Sequence, residues 1–483
     1  MKFIRSALAF VGVLASTSVL VASASTPPRW LAARIAALPA DGTSVPQGYL
    51  PALSCPSAGN CAAAGDYAGA GAVTKGLLLN EVGGVWRQPT AIIAPPGAGA
   101  NPGTTPYGIS CGSPGNCVVA GSYQNAKGSV LGFVDEAVAE RWRPAAQALL
   151  PANALRSKQN AQIRAVVCSS PGNCSASGVY LDHASPAPRT QGFVLNEVHG
   201  VWGRGAEVRL PTHANFNPLV SLGQMACASL GNCVATGSYI DDTNATQGLI
   251  VDEVRGAWQA GRTLTLPGNA NAYPGASLSS TACPAAGTCT AIGTYENATG
   301  AIEGLTVSES AGAWGRAVPI ALPPGAATNP HVFLYGFGGI SCANAANCST
   351  GGQYRDGAGL YQGFFVSEVH GVWRNAVELT LPRGALQVGR NGGVVAISCV
   401  GVGSCSAGAA YLDAANAYQA LTVDEVNGVW LPGIKVVLPR HATSVGVAGG
   451  VYGLLCAHNG QCTAIGSYQR SATVYQGMTI ATK

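Results

Sequence analysis

Residues 225–267 read MACASLGNCVATGSYIDDTNATQGLIVDEVRGAWQAGRTLTLP, and the stretch divides into four short strands. The first ends at Cys227. The turn-forming loop between the cysteines returns as a second strand from Cys233 to Tyr239, and Gly248 to Val254 makes a third. Arg255-Gly256 then turns the chain into a fourth strand running from Trp258 to Leu266. Elsewhere that turn is Asn427-Gly428, His199-Gly200, His370-Gly371 or Gly83-Gly84. Asn-Gly is the preferred pair for a two-residue hairpin that needs positive φ.

The Cys-x5-Cys unit ending in Tyr recurs eight times along the chain. The Trp-to-Leu offset recurs from Trp202 to Leu210, Trp314 to Leu322, Trp373 to Leu381 and Trp430 to Leu438. One copy is displaced. Trp30 to Pro39 reads WLAARIAALP ahead of the first cysteine pair, whereas the last pair is followed by a third strand, YQGMTIATK, and no tryptophan segment. A circularly split repeat suits a closed ring, because the first strand completes the last unit. The prediction is an all-β, eight-bladed β-propeller with four antiparallel strands per blade, closed where the Trp30 strand joins the C-terminal blade. A right-handed β-helix fits less well, since its parallel coils need neither tight hairpins nor a displaced strand.

Composition agrees with a ring of small units. Charged residues are 10 % of 483, with 65 Gly. That is well under the ~25 % charge of ordinary soluble domains and fits sheets covered on both faces. The formal charge is +4, which implies no polyanion-binding patch and no nucleic-acid partner. Residues 1–24 have the layout of a secretory signal peptide: a basic start with Lys2 and Arg5, an apolar run from Ser6 to Val21, and a small-x-small site at Ala22-Ser23-Ala24. Residues 25–483 then form a single propeller domain with no membrane span, and the expected location is secreted or periplasmic.

Sixteen cysteines in an exported chain, all in one short spacing, point to local disulfides. The pairs are Cys55–Cys61, Cys111–Cys117, Cys168–Cys174, Cys227–Cys233, Cys283–Cys289, Cys342–Cys348, Cys399–Cys405 and Cys456–Cys462. Zinc prefers two to four residues between paired cysteines and a matching set of histidines, so no metal and no cofactor is expected.

The S-C-x5-C-x-A-x-G-x-Y pattern followed by E-V-x-G-x-W resembles the disulfide-containing propeller repeats of secreted bacterial proteins. The likeness covers almost the whole mature chain. It implies a propeller and an extracytoplasmic setting, and it carries over no activity and no catalytic residues. Two departures stand out: Ala409 replaces the Gly before Tyr411, and Ala139-Glu140 replaces the usual hairpin pair before Trp142.

Antiparallel order places the cysteine loops and the Asn-Gly hairpins on one face, the bottom. The loops after each Tyr and each Leu-Pro fall on the other, the top. The bottom is uniform and the top varies, so recognition is expected at the top, around the central channel. Candidate binding residues there are Tyr107, Phe216, Tyr273, Tyr335, Phe337, Tyr452, Asp241, Asp242 and Asp356. Aromatic faces beside acids and amides suit a glycan or an extracellular or envelope protein.

The recurring Glu81, Glu136, Glu197, Glu253, Glu309, Glu368 and Glu425 read as internal hydrogen-bond acceptors at the bottom, because one pair would suffice for glycoside hydrolysis. The Trp and Tyr of each unit read as inter-blade packing. No free-Cys and His combination is present. The expected function is non-enzymatic recognition of a glycan or protein. The alternatives are a polysaccharide-acting enzyme with top-face carboxylates, or a structural envelope component.

Overall fold

The computed structural model describes residues 27–45, 47–336, 338–386, 392–440, 442, 449–457, 459–471 and 473–483. The signal-peptide segment and Phe337 lie outside them. Eight antiparallel sheets form a ring. Blade 1 uses Tyr49–Ser57, Asn60–Ala68, Thr74–Val82 and Val85–Trp86, in that order from the axis outward. Blades 2 to 7 repeat the plan from Thr105, Gln162, Ser221, Ser277, Ile340 and Gly393. Blade 8 takes Gly449–Cys456, Cys462–Ser471 and Val474–Ala481, and its fourth strand is Arg34–Ile35 from the start of the chain. Arg34 pairs Thr479, Ile35 pairs Met478, and Trp30 bridges Thr482. The ring closes as the displaced tryptophan segment predicts.

All eight disulfides are local, each spanning a separation of six residues across the first hairpin of a blade. Eight such bonds belong to an oxidising, extracytoplasmic environment. No helix among the described residues is long and apolar enough to cross a membrane.

The two bottom turns of a blade are clipped together. Gly84 N–H donates to the Gly59 carbonyl at 2.8 Å, and Gly200 to Gly172 and Gly256 to Gly231 repeat the bond. The hairpin pairs have positive φ, as at Asn427 (52°) and Gly428 (77°). Ala139 and Glu140 adopt the same conformation at 47° and 69°. The clip there, Glu140 N–H to Gly115 at 2.8 Å, holds a pair whose sequence does not favour it.

The fourth strand differs from the expected continuous run. It breaks into two two-residue pieces, such as Ala257–Trp258 and Arg262–Thr263, both pairing with the third strand. Between them the backbone turns to the neighbouring blade: Gly261 N–H donates to the Arg209 carbonyl at 2.8 Å, and Gly205 to Leu149, Gly433 to Thr380 and Ala33 to Val437 do the same at 2.7–2.9 Å. At the seam between blades 8 and 1 the corresponding residue is Pro89, which has no N–H to give.

The serine before a cysteine also serves the seams. Its hydroxyl accepts the N–H of the next blade's cysteine at 2.9 Å: Ser54 from Cys111, Ser110 from Cys168, Ser341 from Cys399, Ser398 from Cys456.

The tyrosines ending the second strands, Tyr67 through Tyr468, are all essentially buried. Most reach a polar partner, as Tyr180 does with Asn153 at 2.9 Å and Tyr239 with Thr263 at 2.6 Å. Tryptophans bind the blade before them: Trp142 Nε1 donates to Asn80 at 3.1 Å, Trp202 to Glu136 at 2.9 Å, Trp258 to Asn196 at 3.0 Å, and Trp314 to Asp252 at 3.0 Å. Some of the recurring glutamates act as inter-blade acceptors, Glu253 from Ser175 (3.2 Å) and Glu81 from Thr463 (3.3 Å), while Glu309 accepts the Cys289 N–H of its own blade at 3.2 Å. Glu136 stands at a different place in its blade. Blade 2 has the same spacing as the others but carries Ala137 opposite Cys117, where they carry the glutamate, and Glu136 takes the place of Asn80 and Asn196.

The glycine two residues before each such Tyr has a steric cause. A Cβ on Gly237 would lie 1.8 Å from the Ser221 carbonyl oxygen. Blade 7 carries Ala409 there, fully buried, opposite an inner strand that begins at Gly393. Gly237→Ala is expected to lower stability by about 3 kcal/mol, the upper range for overpacking. Ala409→Gly should cost only about 1 kcal/mol, mostly backbone entropy. Denaturant midpoints of the two variants check the difference.

Candidate functional site

The inner strands carry one irregularity that shapes the axis. Their register with the second strand slips between Pro106 and Gly108, Ile163 and Ala165, Leu222 and Gln224, and Val451 and Gly453. Each slip leaves one bulged residue four positions before the cysteine. A bulge re-aims its side chain, and this residue is Tyr107, Arg164, Gly223 and Tyr452 in blades 2, 3, 4 and 8. All four line an axial cavity of about 360 Å³. Tyr107 and Tyr452 are therefore inner-strand residues and not, as their spacing suggested, members of the long top connections.

The mouth of this cavity is polar and aromatic. Tyr107 receives a hydrogen bond from Ser122 Oγ at 3.2 Å. Tyr452 meets Tyr49 of blade 1, ring centroids 5.2 Å apart and tilted by 56°. Tyr49 stands opposite Asp66 in the ladder. Burial pushes the Asp66 carboxyl up to about 6 and the Tyr49 hydroxyl upward, the latter with help from Tyr452 and Asp66. Arg164 spans a seam, Nε donating to Gln162 Oε1 and Nη1 to Ser221 Oγ, both at 3.2 Å. None of the ion pairs among the described residues involves it. Sequence reasoning missed Arg164, Tyr49 and Asp66. The bulge that exposes Arg164 is a backbone event with no residue signature.

Tyr335, in the connection between blades 5 and 6, packs against blade 7 next to Gly336, which lines the cavity. A Cβ on Gly393 would meet its hydroxyl at 3.2 Å and Gln353 Oε1 at 3.0 Å, so blade 7 leaves room for it by carrying glycine. Burial raises the Tyr335 hydroxyl, with Tyr418 adding to the effect.

The remaining predicted residues lie on the top rim, away from the axial lining. Phe216 is 52 % exposed with the Arg189 guanidinium 5.4 Å above its ring, and Tyr273 is 62 % exposed. Asp242 pairs with His213 at 3.3 Å. Asp241 and Asp356 close their own hairpins: Asp241 Oδ1 accepts the N–H groups of Thr243 and Ala245 at 3.0 and 2.9 Å, and Oδ2 accepts Gln247 at 2.8 Å. Asp356 repeats this with Ala358, Leu360 and Gln362. Those hydrogen bonds hold the Asp241 carboxyl below the usual range against the burial that would raise it. The predicted set thus separates into an axial pair of Tyr107 and Tyr452, Tyr335 packed against blade 7, a rim group of Phe216, Tyr273 and Asp242, and two turn-forming aspartates.

No protein-family model matches the chain, and no curated protein matches it. Among solved structures it is similar to a protein of unknown function from Dyadobacter fermentans, 10 % identical over 80 % of this chain and 97 % of that one, TM-score 0.39. It is likewise similar to an ulvan lyase of a new polysaccharide lyase family, 9 % identical over 77 % and 90 %, TM-score 0.41. A third is the fucose-specific lectin from Aleuria aurantia, 11 % identical over 72 % and 100 %, TM-score 0.31. Likenesses at this level carry no argument about what this chain does.

Proposed function

We propose that this protein is an exported, carbohydrate-binding propeller that takes an acidic sugar at the top mouth of its axis. The observation that carries the reading is Arg164: a guanidinium turned into the axial cavity by a strand bulge, beside Tyr107 and Tyr452, with no carboxylate among the described residues paired to it. Its planar fork matches a carboxylate or sulfate, and tyrosine rings stack on the apolar face of a sugar. The cavity is at the small end of ligand sites, which run from ~300 to ~1,000 Å³. Hydrolysis would call for two carboxyls about 5–5.5 or 6.5–9.5 Å apart, and the described cavity lining includes none. Holding a ligand is the better-supported chemistry. The N-terminal leader and the eight disulfides support a secreted or periplasmic location.

The test is a glycan array probed with the mature protein, with uronic-acid and sulfated sugars compared against neutral ones. Arg164→Gln is expected to reduce binding to the acidic sugars at least tenfold, or ~1.4 kcal/mol, and Tyr452→Ala to do likewise. Unchanged binding in both variants, or no preference for acidic sugars, would overturn the reading.

A further inference from the structure

At the seam between blades 3 and 4 four side chains satisfy one another. Trp258 Nε1 donates to Asn196 Oδ1 at 3.0 Å, Asn196 Nδ2 donates to Glu253 Oε1, and Ser175 donates to Glu253 Oε2 at 3.2 Å. The equivalent residues between blades 6 and 7 are Trp430, Ser367, Glu425 and Ser349. Serine is too short for the task. Ser367 Oγ reaches Glu425 Oε1 at 3.4 Å and Ser349 at 2.9 Å, and Trp430 Nε1 and Glu425 Oε2 are left buried with no partner among the described residues. Glu368 Oε2 is in the same condition. Glu425 is 4 % and Glu368 5 % exposed. All three residues line a groove of about 740 Å³ that opens at this seam, larger than the axial cavity.

The unmet groups narrow the ligand. Two carboxyls ask for donors and one indole N–H asks for an acceptor, each costing about 1–3 kcal/mol when left buried and unsatisfied. A cation would answer the carboxyls and be repelled by the N–H dipole; an anion would do the reverse. Hydroxyl groups donate and accept at once. The rest of the lining includes exposed apolar surface from Val377, Val402 and Val429, which suits the C–H face of a pyranose. Phe365 fixes Trp430 by stacking, centroids 3.8 Å apart and planes 6° off parallel.

We infer that the groove between blades 6 and 7 is a binding site for a neutral sugar unit, held by Glu368, Glu425 and the Trp430 indole N–H. The site is independent of the axial mouth and of the function proposed for it.

Ser367→Asn supplies the side chain that completes the quartet between blades 3 and 4, and so should close the site without disturbing the ring. The mature protein is titrated with neutral mono- and disaccharides (glucose, galactose, mannose, fucose, lactose) by saturation-transfer NMR and calorimetry. The wild type is expected to bind at least one of them. Ser367→Asn should weaken that binding tenfold or more with a thermal midpoint unchanged or raised. Trp430→Phe, which keeps the ring and removes the N–H, should weaken it severalfold, while Arg164→Gln should leave it unchanged. Absence of binding by every neutral sugar, binding retained in both seam variants, or binding lost in Arg164→Gln would each overturn the assignment.

Discussion

Trp30→Ala is expected to destabilise the whole ring by about 3 kcal/mol, as for removal of a large aromatic from a packed site. Trp30 lies against the cluster joining blades 7 and 8, which includes Ala33, Val436 and Ile480. Its Nε1 donates to both oxygens of Asp424 at 3.3 and 3.2 Å, and Asp424 is only 3 % exposed. The backbone around it zips blade 8 shut: Leu31 to Ala481 and Ala36 to Gly477 at 2.9 Å, with Lys483 returning to Arg29 at 3.0 Å. Deleting residues 27–36 removes all of this and leaves the third strand of blade 8 as a bare sheet edge, so the deletion should abolish a single cooperative unfolding transition. Trp30→Phe keeps most of the packing and withdraws one hydrogen bond from a buried carboxylate, and should cost about 1.5 kcal/mol. Denaturant unfolding of the three variants measures the series. Wild-type midpoints throughout would mean that the closing strand does not hold the ring.

Acidic conditions should stabilise this protein, and Asp135 should be the main reason. Its register partner is Val119, in the core position that is Leu79 in blade 1 and Leu195 in blade 3. It is 2 % exposed, neither carboxyl oxygen has a partner among the described residues, and burial pushes it up to about 7. Glu197 and Glu425 also rise to about 7, by burial first and, for Glu197, by the neighbouring Glu136. A carboxyl whose folded pKa exceeds its unfolded value of ~4 binds its proton more tightly in the folded state. Its burial therefore costs nothing extra below pH ~4, and the cost grows to its full size as pH rises through 7. Asp41, Asp182 and Asp241 are shifted the other way, and their contribution is lost as pH falls below ~4.

The thermal midpoint should accordingly be highest near pH ~5 and fall toward pH 8. Asp135→Leu restores the residue found in blades 1 and 3. It should add roughly 3 kcal/mol at pH 8, within the ~4 kcal/mol bound set by the pKa rise, add less at pH 5, and flatten the midpoint-against-pH curve. A curve that rises from pH 5 to pH 8, or that Asp135→Leu leaves unchanged, would show that these carboxyls do not control stability.

The register of blade 2 illustrates what repetition alone conceals. Read as a pattern, Glu136 belongs with Glu81 and Glu197; in the ladder it sits one place earlier and receives Trp202, while Ala137 faces Cys117. The motif hides a substitution: Glu136 lies six positions before Trp142 where Glu81 lies five before Trp86, and strand pairing shows that Ala137 holds the glutamate's place. The same holds at the axis. The letters alone make Tyr107 and Tyr452 loop aromatics and give Arg164 no role, since the bulge that turns all three toward the channel is a register slip between the first two strands of a blade.

By itself the sequence determined the eight blades, the local pairing of every cysteine, the tight hairpins and the closure by the Trp30 strand. These depend on spacing, turn chemistry and short-range covalent geometry, all of which are written along the chain. Tertiary structure alone decided which side chains face the axis and that Ser367 leaves Trp430 and Glu425 unmet where Asn196 satisfies Trp258 and Glu253. The seam outcome depends on contacts between blades about 60 residues apart, where one atom of side-chain reach separates a filled seam from an open groove.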